Sequence, residues 1–351
     1  MRKIKSIVAV ALTVLMLMSC FVVYGSAQEN NSFTVKMINY NVAGLPNFSG
    51  KDVAKHQGDV AEYFVANNFD IIAVQEDFGY HKNLVAGLDG YNYQTNHSGS
   101  IPGGDGLNIF TKNMPMYNEA RYEWDMSYGP IAEGDTLTPK GIIHSVIDVG
   151  NGVYVDFYNI HADAFDSFGS QLARESNYTQ LADLIDENYE KYGRPVIVTG
   201  DFNAYLHHFV GNSNMYEIFH ERCQLKDAWV ELKNDGDYNN YAHWYGTNID
   251  PWGNWDSVEK VMYKDGKGVK VKAVDFEYKW LFNEKNESLS DHAAAECVLE
   301  FTVTDDFVSD NSDLEVVTVS PTRNILNMIK WIFKDLVTVF SNIEELLEML
   351  G

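Results

Sequence analysis

The chain has 351 residues, 45% hydrophobic and 22% charged, proportions of a globular protein rather than a mostly disordered, collagen-like or low-complexity one. At ~100–200 residues per domain, that length holds one large domain or two small ones. Twenty-six Lys and Arg against fifty Asp and Glu give a net charge of −24. That balance argues against a generic polyanion-binding face, but not against a nuclease whose metal ions and few local cations act at one site.

Arg2, Lys3 and Lys5 precede an uncharged, mostly apolar run over residues 7–24, and the small residues Gly25, Ser26 and Ala27 lead into the polar Gln28-Glu29-Asn30-Asn31. This order predicts a secretory signal peptide over 1–27, cleaved after Ala27, and therefore a secreted or extracytoplasmic protein. An uncleaved anchor is the rival reading, since ~18 apolar residues approach the length of a membrane span. Lipidation at Cys20 is a third, but Phe21, Val22, Val23 and Tyr24 stay apolar where a lipoprotein would begin a polar tether. In an exported chain the two remaining cysteines, Cys223 and Cys297, either pair or stay buried as thiols.

Apolar runs predict strands at 33–40, 70–74, 107–111, 141–149, 153–160, 195–199, 258–263 and 293–301, with helices at 52–68 and 171–190, the second stopped by Gly193. The expectation is one α/β domain over 28–303. Residues 304–321 then read as an acidic linker. Ile325, Ile329, Ile332, Leu336, Phe340, Ile343, Leu347 and Leu350 recur at helical spacing, predicting an amphipathic helix over 322–351. Lys330, Lys334 and Asp335 interrupt it too often for a membrane span, so it lies on a membrane, pairs with a copy of itself or, the blander reading, docks on the domain.

Polar residues with metal- or proton-handling chemistry fall where these strands end, as active groups on a rigid scaffold do. Asn41 closes the first strand and Glu76 the second, where a carboxylate at the mouth of a buried strand calls for a cation or solvent. His161 ends a strand in which Val153, Val155 and Phe157 alternate. In Thr199-Gly200-Asp201-Phe202-Asn203, Gly200 lets the backbone turn, and Asp201 and Asn203 are two apart in an extended segment, able to point the same way. Their anionic and amide oxygens suit a hard cation such as Mg²⁺. Asp291-His292 precedes the last strand, and Glu259, on a strand with apolar neighbours, is placed to orient His292. His207, His208 and His243 lack a zinc-ligand spacing.

In this order, these motifs resemble the endonuclease/exonuclease/phosphatase superfamily, of deoxyribonuclease I-like fold. The resemblance implies an α/β four-layer sandwich of two mostly antiparallel sheets flanked by helices, and Mg²⁺ as cofactor, with Mn²⁺ or Ca²⁺ as alternatives. It implies metal and phosphate roles for Asn41 and Glu76, with Asp291 beside the metal, and catalytic roles for His161, Asp201 and His292. Asn203 and Lys140 would contact substrate phosphate. One position departs: the family has Asp where Glu259 aligns. Glu259 is preferred over Asp256 as the partner of His292, because using Asp256 would shift the strand by three residues.

Within the superfamily, Thr138-Pro139-Lys140-Gly141 and His161-Ala162-Asp163-Ala164 are similar to segments of bacterial neutral sphingomyelinases. The acidic charge, and Trp244, Tyr245, Trp252 and Trp255 in one loop, favour a phospholipid head group over nucleic acid, with residues 322–350 as a peripheral membrane contact. The alternatives are a secreted deoxyribonuclease I-like endonuclease and a catalytically inactive binding module.

Overall fold

The computed structural model describes residues 31–45, 55–101, 103–129, 138–205, 215–239 and 256–318. The expected signal peptide, the helix from residue 322, the tryptophan-rich loop from Trp244 to Trp255, and His207, His208 and His243 lie outside them.

Two six-stranded sheets carry the molecule. The first holds β1 (Ser32–Asn41), β2 (Ile71–Gln75), β3 (Tyr93–Gln94), β4 (Asn108–Thr111), β11 (Val269–Lys279) and β12 (Ala294–Val303), in the order β11-β12-β1-β2-β4-β3. The second holds β5 (Met116–Glu123), β6 (Gly141–Gly150), β7 (Val153–His161), β8 (Val196–Asp201), β9 (Lys226–Asp227) and β10 (Glu259–Lys264), in the order β5-β6-β7-β8-β10-β9. All pairings are antiparallel except β1 with β2 and β7 with β8.

The side-chain period of two sorts each strand between two cores. In β1, Val35 and Met37 enter the main core, while Ile38 and Tyr40 join a second cluster with Val60 and Phe64 of α1 (Gln57–Asn67) and Leu84 of α2 (His81–Gly87). The long helix α3 (Phe168–Tyr192) brings Tyr178, Leu181 and Ile185 into the main core, the face expected from their spacing. Full burial of side chains of this size contributes roughly 1.5–3 kcal/mol each. Ser167 caps α3 by accepting from the Ser170 amide, and Gly193, at φ 65°, ends it. The result is the expected four-layer α/β sandwich of two mostly antiparallel sheets.

Several elements depart from the expected ones. α1 begins at Gln57, after a 3₁₀ turn at Lys55 and His56, and the expected helical residues 52–54 lie outside the described residues. β5, β11, α2, a π-helical segment (Tyr216–Arg222) and α4 (Ala228–Lys233) carry no strong run of apolar residues, because each meets solvent on one side. Gly200 does not turn the chain. β8 runs through it to Asp201, and its φ of 145° brings the backbone so close to β7 that a Cβ would sit 2.2 Å from the Ile160 carbonyl. Residues after β12, expected as a linker, lie against the edge of the second sheet: the Asn118 amide donates to Glu315 O (2.9 Å), the Val317 amide to Met116 O (3.2 Å), and Arg194 pairs with Asp313. Cys223 and Cys297 are buried free thiols, not a disulfide.

Candidate active site

The two parallel pairs set the site. In register, β1 ends with Asn41 opposite Gln75, β7 ends with His161 opposite Asp201, and antiparallel β10 begins with Glu259 opposite Asp201 as well. Chain ends from both sheets therefore meet at one edge of the sandwich.

Asn41 joins the sheets there. Its Nδ2 donates to Glu76 Oε1 (3.0 Å) and to Asp201 Oδ2 (3.1 Å), while its Oδ1 accepts from the Ala43 amide (3.0 Å). It thus presents its amide nitrogen, not its oxygen, to the carboxylates, and one donor group holds both acids. Glu76 follows the last residue of β2 in a left-handed conformation, φ 57°, which turns its carboxylate out of the strand register.

His292 lies at the centre. Its Nδ1 is 2.5 Å from Glu259 Oε1 and 3.7 Å from Asp201 Oδ2, and its Nε2 is 3.9 Å from Asp291 Oδ1. The other oxygen of Glu259 accepts from the Ser257 hydroxyl, and Asp256 pairs instead with the buried Lys260. Ser290 Oγ donates to Asn41 O (2.6 Å) and accepts from the His292 amide (3.2 Å), tying the Ser-Asp-His turn to the end of β1. His161 Nε2 lies 3.6 Å from Asp201 Oδ2. Asn203 is not in an extended segment. At φ 53° it bends back so that its amide donates to Asp201 Oδ1 (2.9 Å) and its Nδ2 to Ala162 O (3.0 Å). Lys140 reaches Ala162 O at 3.4 Å, within Coulombic range of Glu76, Asp201 and His161.

Burial and charge divide the titrating groups. Burial pushes the carboxyls of Glu76 and Asp201 above their usual range, with His292 the main opposing influence. Burial, with Lys140 and His292 nearby, holds His161 well below an ordinary histidine. For His292 burial acts downward, but Asp201 and Glu259 outweigh it and raise the imidazole to about 10. Half-buried Glu76 and buried Asp201, beside Glu259 and Asp291, make an oxygen-rich acidic cluster that a hard divalent cation fits. One donor atom each from Asp201, Glu259 and His292 lies within 4.8 Å of the others.

Beneath the site runs a polar layer that short-range pattern did not reveal. Gln75 Nε2 donates to Asn39 Oδ1 (2.7 Å) and Asn159 Oδ1 (2.6 Å), Asn39 Nδ2 to Gly200 O (3.1 Å), and Asn159 Nδ2 to Val74 O (2.9 Å). All three side chains are fully buried. Their signal was an amide two residues before Asn41 and His161 and immediately before Glu76, at buried strand positions where an apolar residue is the rule.

Two stacked, mostly antiparallel sheets with an acid, amide and histidine cluster at one edge define a deoxyribonuclease I-like α/β sandwich. The model of the Endonuclease/Exonuclease/phosphatase family matches residues 38–292, and the chain belongs to that family. It is 30% identical over 286 residues to a sphingomyelinase of Mycobacterium bovis and, equally, to one of Mycobacterium tuberculosis, covering 74% of this chain. The chain spans about half, 51%, of those relatives' length. Among solved structures, a humanized TDP2 of D. rerio aligns with a TM-score of 0.56 at 12% identity, over 76% of this chain and 98% of that one. Beta toxin from Staphylococcus aureus with bound magnesium ions gives 0.53 at 16%, and sphingomyelinase C from Streptomyces griseocarneus 0.53 at 18%, each over 76% of this chain and 99% of the other. These likenesses establish the same fold.

Proposed function

We propose that the chain is a secreted, Mg²⁺-dependent phosphoric diester hydrolase that cleaves the head group of a sphingomyelin-like phospholipid. The observation that carries the hydrolytic reading is the contact of His292 Nδ1 with Glu259 Oε1, 2.5 Å, beside Asp201. Glu259 fixes the tautomer and orientation of the imidazole and leaves Nε2 to take a proton from the attacking water, a contribution of roughly 10²–10⁴ in rate. His161, held neutral by burial, donates a hydrogen bond rather than a charge to a phosphoryl oxygen. Asn203 and Lys140 bind phosphate oxygens, and Asp201, locked by Asn41 and the Asn203 amide, orients water. Glu76, with Asp291 and the acidic edge around Asn41, would hold the divalent cation, which supplies Lewis-acid polarisation of the phosphate and neutralises the leaving oxygen.

The lipid reading is supported by identity to the mycobacterial sphingomyelinases and by a net charge ill-suited to tracking nucleic acid. Residues 1–27 would direct export, and residues 322–350 would meet the membrane or dock on the domain. The test is hydrolysis by the 28–351 protein of sphingomyelin vesicles and plasmid DNA side by side, with Mg²⁺ or EDTA. Mg²⁺-dependent phosphocholine release without nicking is expected. Nicking alone would move the chain to the nuclease branch, and silence on both would favour a binding module. Loss of 322–350 should slow hydrolysis of vesicles more than of a soluble phosphodiester, and equal effects would favour docking on the domain.

A further inference from the structure

Glu259 stands where the family has Asp, so its side chain carries an extra methylene and one more rotatable bond. The backbone beneath it is pinned residue by residue. The Phe202 amide donates to Val258 O (2.9 Å), the Tyr278 hydroxyl to Glu259 O (2.8 Å) and the Thr199 hydroxyl to Lys260 O (2.7 Å). What remains to be set is the carboxylate at the far end of a long side chain, whose terminal torsion is broad. One of its oxygens, Oε1, meets His292 Nδ1 at 2.5 Å. That contact alone leaves the carboxylate free to pivot about the oxygen it holds.

The second oxygen, Oε2, accepts from the Ser257 hydroxyl. A serine hydroxyl has one proton to give and a carboxylate oxygen can only accept, so the donor of Ser257 is committed to Glu259. Ser257 is itself held from behind. Its amide donates to Asp256 Oδ1 (2.9 Å), and the same oxygen pairs with the Lys260 ammonium. Asp256, Ser257, Glu259 and Lys260 are all buried, where water competes little for these bonds. An unbroken line of contacts thus runs from His292 through Glu259 and Ser257 to a buried ion pair.

We propose that Ser257 is a positioning residue for proton transfer at His292: its hydroxyl fixes the Glu259 carboxylate against the imidazole, and the Asp256–Lys260 pair anchors Ser257. The inference rests on the hydrolytic reading above, but not on a lipid substrate. It gives the charged neighbours of Glu259 a use, since Asp256, neutralised by Lys260, holds the Ser257 backbone instead of competing for His292. Ser257 acts only through Glu259, which separates it from a residue that merely supports the fold.

The experiment is steady-state hydrolysis of a soluble phosphodiester, bis(p-nitrophenyl) phosphate, in saturating Mg²⁺ by the 28–351 protein and its variants. Ser257→Ala should lower kcat roughly 10-fold with KM near unchanged, because a hydrogen bond to a charged group is lost. Ser257→Thr keeps the hydroxyl and should retain most of the rate, whereas Ser257→Cys, similar in size but a weak donor, should not. In a Glu259→Ala background, Ser257→Ala should leave kcat where the first substitution put it. An equal loss in both backgrounds, or full rates in Ser257→Ala and Ser257→Cys, would overturn the assignment. A readout independent of turnover is the downfield proton resonance of the His292 Nδ1–H bond in the same Mg²⁺ buffer, identified by its loss in His292→Ala. It should shift or broaden in Ser257→Ala and persist in Ser257→Thr, and an unchanged resonance in Ser257→Ala would equally sink the proposal. Should the wild type hydrolyse no phosphodiester, the function proposed above fails while the resonance still decides the role of Ser257. Melting curves of each variant separate a lost position from a lost fold.

Discussion

Glu259 Oε1 lies 2.5 Å from His292 Nδ1, and the two residues come from different sheets, Glu259 from the start of β10 and His292 from the turn before β12. The dyad therefore exists only while the sandwich is closed. Removing the imidazole with His292→Ala should lower kcat by about 10²–10⁴, with near-unchanged circular dichroism. Glu259→Gln should cost less, because an amide still orients the ring but cannot stabilise its positive form. Single-turnover assays on one phosphodiester would check the order, and equal rates in both variants and wild type would remove the dyad from the mechanism.

The raised His292 predicts how stability varies with pH once cations are stripped. Its folded value of about 10 lies above its unfolded ~6.5, so its contribution is fully present below ~6.5 and is lost as pH rises through about 10. Urea midpoints of the EDTA-treated protein should fall over that window, and His292→Ala should flatten the fall. In the active protein, Glu259→Gln removes a charge that holds the proton on His292, so the acidic limb of log kcat/KM, where this base is still protonated, should move to lower pH while the plateau drops.

Metal removal should act through Glu76. EDTA should stop hydrolysis, and Glu76→Gln should raise the Mg²⁺ concentration giving half-maximal rate far more than it changes KM for substrate, read from a Mg²⁺ titration at fixed substrate. An unchanged Mg²⁺ requirement would place the cation elsewhere.

The buried amide layer predicts a stability effect away from the chemistry. Gln75→Leu fills similar volume but leaves Asn39 Oδ1 and Asn159 Oδ1 without their donor, at a cost of about 1–3 kcal/mol for each buried group left unpaired. Urea unfolding should show that loss, and activity should fall too, because Asn39 also bonds the Gly200 carbonyl next to Asp201.

Much of the molecule was legible in short-range pattern. Runs of Val, Ile and Phe ending on Asn41, Glu76, His161 and Asp201 marked both the strands and the groups at their mouths, because a period of two and a polar terminus are local properties of the chain. β11 escaped that reading: Val269, Val271 and Ala273 alternate with exposed lysines at an edge, and solvent on one face thins the apolar signal. Asn203 escaped it differently, since a positive φ after Asp201 does not follow from its neighbours' hydropathy.

What the closed sandwich added was register. Asn41 and Asp201, 160 residues apart, meet because β1–β2 and β7–β8 are both parallel and end at one edge. That same closure turns Asn41 nitrogen-first to two acids, chooses Glu259 over Asp256 for His292, and buries Asn39, Gln75 and Asn159 against one another. Local pattern can say that a strand ends in an acid or an amide. Which distant end it faces, and with which atom, depends on pairing between segments whose contact free energy is realised only when both sheets are in place.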